Sequence, residues 1–140
     1  MSVIVDSNVL VSIALKSTVL APIQEAWLEE RFILLGSQTL LREIEEVLRR
    51  KKFRALLSLE EVDVFLANLR EAVTWMEPRE PYPDFSDPKD MFLLAMARDY
   101  KAELFVTGDR ALLKLGHFEE TIILSPRDFI ERLKGTDDGR

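Results

Sequence analysis

Four short apolar runs punctuate the chain: Val3-Ile4-Val5, Phe32-Ile33-Leu34-Leu35, Leu104-Phe105-Val106 and Ile122-Ile123-Leu124. Unbroken apolar runs of this length belong to strands covered on both faces, and strands that alternate with helical patterns build a mainly parallel sheet. The expected fold class is therefore α/β, a three-layer α/β/α sandwich around that sheet. Val73-Thr74-Trp75-Met76 reads as a further short strand. The 140 residues suffice for one core without covalent staples. A single domain is expected over residues 1–134, with 135–140 a disordered tail.

Between the strands, helix signals are local and chemical. A helix is expected from about Thr18 to Glu30, with Pro22 in its first turn, where a missing amide donor does no harm. Ser37 caps a helix whose apolar positions Leu40, Leu41, Ile44, Val47 and Leu48 follow helical spacing. Ser58 and Glu61 form a capping-box pattern at the head of a helix reaching Ala72. The stretch 77–88 holds four prolines and reads as a loop. Asp87-Pro88-Lys89-Asp90 is a helix start, and the wholly apolar Met91 to Ala97 predicts that this helix is buried. A short helix from Arg110 and a last one over Pro126 to Leu133 complete the expectation.

Four acids stand out against this frame. Asp6 follows the first apolar run and Asp109 follows the third, which places both at the carboxyl edge of a parallel sheet, where ligands of open α/β sheets bind. Each also has an ordinary explanation as a turn or cap residue. Asp90 is favoured in a first helical turn by the dipole, yet it shares a ridge with Leu94 and Ala97 and so borders buried surface, where a carboxylate needs a cation or hydrogen bonds. Glu43 lies in the second turn of its helix, too deep for capping. It flanks the apolar stripe on one side as Glu45 does on the other, and periodicity does not choose between them.

Composition narrows the chemistry. There is no cysteine, which removes disulfides, thiolate metal sites and thiol nucleophiles and fits a reducing, cytoplasmic location. His117 is the single histidine, so zinc is disfavoured and oxygen ligands for Mg²⁺ or Mn²⁺ remain. A net charge of −6 argues against broad electrostatic attraction to nucleic acid, though not against a local patch. The basic run Arg49 to Arg54 is more simply a helix carboxyl end favoured by the dipole. Trp27 and Trp75 read as core or interface anchors. No signal peptide and no membrane span are expected.

The run Val-Ile-Val-Asp-Ser-Asn-Val-Leu-Val-Ser at residues 3–12 resembles the opening of PIN-domain ribonucleases. Residues 37–53 resemble that family's second acidic helix, Asp87-Pro88-Lys89-Asp90 its third motif, and Val106-Thr107-Gly108-Asp109 its fourth. The subgroup most similar is that of the toxin components of prokaryotic toxin–antitoxin pairs, VapC-like proteins. The resemblance selects Glu43 over Glu45 and implies a catalytic and metal-binding set of Asp6, Glu43, Asp90 and Asp109 holding Mg²⁺ or Mn²⁺. Asn8, Asp87 and Thr107 are the residues expected to support the site or contact substrate. It implies hydrolysis of RNA to 5′-phosphate and 3′-hydroxyl ends, an antitoxin partner, and a homodimer, the last also favoured by the apolar content of residues 58–76.

Two other functional classes compete with this reading. A doubly wound phosphotransfer or phosphatase domain wants a second acid where Asn8 stands and a lysine after a later strand, and there is no phosphate-cradling G-x-x-x-x-G-K-[ST] loop. A catalytically silent RNA- or protein-binding module with a structural metal is the remaining alternative.

Overall fold

A computed structural model describes residues 1–77 and 88–138, with the backbone alone for 88–91 and 136–138. In chain order the elements are β1 (Ser2–Val5), α1 (Ser7–Ala14), α2 (Ala21–Leu28), β2 (Ile33–Gly36), α3 (Gln38–Leu48), α4 (Leu59–Ala72), β3 (Val73–Trp75), α5 (Pro88–Tyr100), β4 (Leu104–Val106), α6 (Arg110–Leu115), β5 (His117–Phe118), β6 (Thr121–Leu124) and α7 (Pro126–Asp138). They form the expected α/β/α sandwich.

The sheet order is β3-β2-β1-β4-β6-β5. All neighbours pair in parallel except the edge pair β5 and β6. From β1 the chain winds outward through β2 to β3, then returns to place β4 and β6 on the other flank. The direction of winding therefore reverses between β1 and β4, and a crevice opens there at the carboxyl ends of the strands. Ile4 opposite Phe105 and Val5 opposite Val106 set the register of that central pair.

Burial explains why these segments are strands and helices. Val3, Ile4, Val5, Phe105 and Val106 are fully buried, as strands covered by helices on both faces must be. On α5, Leu93 to Ala97 are buried without interruption, the environment its unbroken apolar sequence demanded. Ser37 caps α3 by accepting from the Leu40 amide at 3.1 Å. Ser58 and Glu61 form the reciprocal capping box at the head of α4. Phe129 of α7 meets Phe32 edge-on, with ring centres 5.2 Å apart, docking the last helix beside β2.

Several elements differ from the sequence expectation. Helix α1 was not anticipated: its two valines and one isoleucine are poor helix formers, but Val9, Leu10, Val11, Ile13 and Ala14 all reach the core, and packing outweighs propensity. The helix expected over 18–30 is shorter, because Thr18 to Leu20 form a turn that feeds Ala21. Helix α7 extends past Leu133 to Asp138. The short strand β5 was also missed; it contains His117, exposed and without an assigned role. Among the described residues no helix is long and apolar enough to cross a membrane.

Candidate metal and nucleic-acid cleft

The amide of Asp6 donates to the Val106 carbonyl at 2.9 Å, so β1 hands its chain to α1 directly beside the end of β4. Asp6 occupies the N-cap position of α1, yet its carboxylate makes no capping bond. At the heads of α3, α4 and α6, Ser37, Ser58 and Asp109 do cap. Asp6 is only 3 % exposed. A buried carboxylate requires hydrogen bonds or a cation, and here the Thr107 hydroxyl, itself fully buried, donates to Asp6 Oδ2 at 2.7 Å.

Thr107 performs a second service. Its oxygen accepts the Asp109 amide at 3.0 Å, which turns the chain after β4 and brings Asp109 to the same crevice. Asp109 Oδ1 in turn accepts from the Leu112 amide at 3.1 Å, so Asp109 caps α6. The ordinary explanation weighed for it in the sequence is thus realised, alongside its position at the cleft. Asp6, Asn8, Ser12, Gly108 and Asp109 line a cleft of about 320 Å³, closed by Val9, Leu20 and Pro126. Asn8 is exposed and Ser12 half-buried one helical turn farther along α1, a polar face that the sequence reading, without α1, identified only at Asn8.

Glu43 and Glu45 diverge as residues on opposite flanks of one apolar stripe should. Glu43 Oε1 accepts from the Ser7 hydroxyl at 3.1 Å. Glu45 is engaged elsewhere, with Arg49 at 2.9 Å and Arg70 at 3.6 Å. Glu43 is not among the residues lining the cleft. Asp90 stands in the first turn of α5, but its side chain, like the whole of Asp87, lies outside the described residues. Within the basic run 49–54, Arg49 also meets Asp63 at 2.6 Å, the Arg54 guanidinium binds the Leu48 carbonyl, and Lys52 lies over the Phe53 ring, while Arg50 and Lys51 are exposed.

The groups at the cleft are carboxylate, amide and hydroxyl, a set rich in the oxygen donors that Mg²⁺ and Mn²⁺ prefer. Among the described residues no three Asp, Glu or His side chains lie close enough together to hold a metal ion. Asp90 is the further carboxylate that the resemblance implies, and its side chain lies outside the described residues.

Comparison with known proteins agrees with this architecture. Among curated proteins none matches the chain by sequence. The crystal structure of VapBC2 from Rickettsia felis, bound to a DNA fragment from their promoter, contains a similar chain with a TM-score of 0.60 and 12% identity, covering 89% of this chain and 98% of that one. The PIN domain of human SMG5 is similar with a TM-score of 0.53 and 12% identity, covering 95% of this chain and 99% of that one. At such identity the likeness is one of fold. A sequence model of the PIN domain matches residues 2–111, from β1 through the start of α6 and so through every acid discussed above. The chain belongs to the PIN domain family, whose members are generally nucleases.

Proposed function

We propose that the protein is a Mg²⁺- or Mn²⁺-dependent endoribonuclease acting in the cleft between β1 and β4, and that it serves as the toxin of a toxin–antitoxin pair. The observation that carries this reading is Asp6: a buried N-cap aspartate that leaves its own helix uncapped and is held instead by the hydroxyl of Thr107 at the sheet's switch point. Asp6, Asp109 and Asp90, with Glu43, are the carboxylates that would hold the ion. When bound, the ion supplies an acidified water and offsets charge on the leaving oxygen.

The chain's own residues orient the rest. Thr107 fixes Asp6 Oδ2, and the Leu112 amide fixes Asp109 Oδ1. Asn8 and Ser12 offer polar groups along one wall of the cleft. Arg110, next to Asp109, and Arg127, next to the cleft-lining Pro126, are exposed and make no ion pair among the described residues. They are the cations we assign to RNA phosphates, a local patch on a chain whose net charge is −6. The architecture shared with VapBC2 supports an antitoxin partner. Leu59, Val64 and Trp75, exposed by 50%, 60% and 41%, support assigning region 58–76 to a homodimer interface. A cytoplasmic location accords with the absence of cysteine.

The test is a panel of defined RNAs incubated with purified protein and Mn²⁺. Asp6→Asn is expected to abolish cleavage while the circular dichroism spectrum stays native; a fully active variant refutes the assignment. The second reading, a silent RNA- or protein-binding module, is favoured by the lack of a three-acid group among the described residues. Binding without cleavage in the same assay supports it.

A further inference from the structure

Glu43 presents a difficulty for the cleft just described. It sits on α3, separated from β1 in the chain by α1, α2 and β2, and it is not one of the cleft's lining residues. What connects it to the cleft is Ser7, which lies inside the first motif, directly after Asp6, but has no role assigned to it above. The Ser7 side chain is buried, with the residue only 2% exposed. Its hydroxyl donates to Glu43 Oε1 at 3.1 Å and lies 3.4 Å from Asp6 Oδ1, the second oxygen of the carboxylate whose first oxygen Thr107 holds.

A serine hydroxyl carries one proton and cannot donate fully to two carboxylates at once. The shorter contact gives the proton to Glu43 most of the time; the 3.4 Å contact to Asp6 Oδ1 is the weaker alternative for the same proton, so the one hydroxyl is shared between the two acids. Ser7 is also the first residue of α1, and Asp6 precedes it, so the shared hydroxyl is anchored to the junction that aims Asp6. Asp6 is thereby flanked by a hydroxyl on each oxygen, one from β4's end and one from α1's start.

We infer that Ser7 is a positioning residue, setting the Glu43 carboxylate relative to Asp6 and so tuning the cleft's affinity for a divalent cation; this rests on the nuclease reading above. Groups that orient metal ligands from behind typically change metal affinity or activity by about 10- to 100-fold when removed. The role acts through Glu43, which distinguishes it from a purely structural hydroxyl.

The experiment is a cycle of wild type, Ser7→Ala, Glu43→Gln and the double variant. Each is melted in chelator and across a Mn²⁺ titration, with cleavage of one RNA measured in parallel. Ser7→Ala is expected to weaken the apparent Mn²⁺ affinity by about tenfold or more. It should add little on the Glu43→Gln background, and Ser7→Thr, which keeps the hydroxyl, should restore most of the affinity. Should Ser7→Ala not fold, Ser7→Cys, close in size and a weak donor, takes its place. A wild type that both binds Mn²⁺ and cleaves, with a Ser7→Ala protein of equal affinity, overturns the positioning role alone. Equal losses on both backgrounds overturn it as well, since Ser7 would then act independently of Glu43. A wild type with neither a Mn²⁺-dependent shift nor cleavage overturns the nuclease reading and the role with it.

Discussion

Replacing Thr107 by valine removes one oxygen and keeps the shape of the side chain. In the fully buried environment of Thr107, that oxygen donates to Asp6 Oδ2 at 2.7 Å and accepts from the Asp109 amide at 3.0 Å. A hydrogen bond to a charged group contributes about 1.5–3 kcal/mol and a neutral one about 0.5–1.5 kcal/mol. The methyl that replaces the hydroxyl gains about 0.8 kcal/mol by burial. The expected net loss is about 1.2–3.7 kcal/mol, and Thr107→Ser, which keeps both bonds, should lose less. Urea unfolding at neutral pH in chelator measures it without any contribution from bound cations. A double-mutant cycle with Asp6→Asn should show a coupling of roughly 1 kcal/mol or more, since the two groups share one bond. A Thr107→Val protein within about 0.5 kcal/mol of wild type, inside the range of ordinary surface changes, would refute the claim that this hydroxyl holds the junction together.

Two further outcomes follow from the packing and the ion pairs. A Cβ on Gly36 would stand 2.7 Å from Val73 Cγ1, between two hydrogen-bonded strands, so Gly36→Ala should cost about 1–3 kcal/mol by overpacking; failure of Val73→Ala to recover most of that loss would show the clash is not the cause. The Glu61 carboxyl is held down to about 2, first by its hydrogen bond from Lys16 at 2.8 Å and next by the Ser58 amide. A depressed folded-state pKa means its contribution is present above its ordinary 4.5 and is lost as pH falls toward about 2. Titration by NMR should find Glu61 low and Lys16→Met should raise it; an unchanged value in the variant would count against the pairing.

The parts of the fold legible in the sequence were those written in strong local chemistry. The apolar runs gave β1, β2, β4 and β6; Ser37, and Ser58 with Glu61, gave α3 and α4 their starts. Helix α1 was hidden because its β-branched residues carry a strand-like signal that only the tertiary core overrides. The β5–β6 hairpin was hidden for a different reason. Its two-residue turn is Glu119-Glu120, and Glu119 takes a φ of 51°, a conformation that turns usually assign to glycine or asparagine. Without that signal, nothing in the sequence marks a hairpin.

The candidate site was legible to a similar, partial degree. Asp6 and Asp109 could be placed on one edge because strand ends are visible in sequence. Ser7 and Ser12 could not be found, since their relevance depends on a helix the pattern concealed. Glu43 was separable from Glu45 only by family resemblance; in the structure the two side chains have different partners, Ser7 for one and Arg49 with Arg70 for the other.

Asp6 and the hydroxyl that holds it are 101 residues apart in the chain. During synthesis the first strand therefore emerges long before its partner at the central seam exists. Neither the β1–β4 pairing nor the Asp6–Thr107 contact can form until the fourth strand has been made, and a chain interrupted earlier carries an aspartate with no cleft around it. Long-range pairing of this kind is slow to close, because the loop entropy must be overcome before any contact rewards it. The arrangement acts as a built-in delay: the cleft between β1 and β4 takes shape only after β4 and Thr107 have been made.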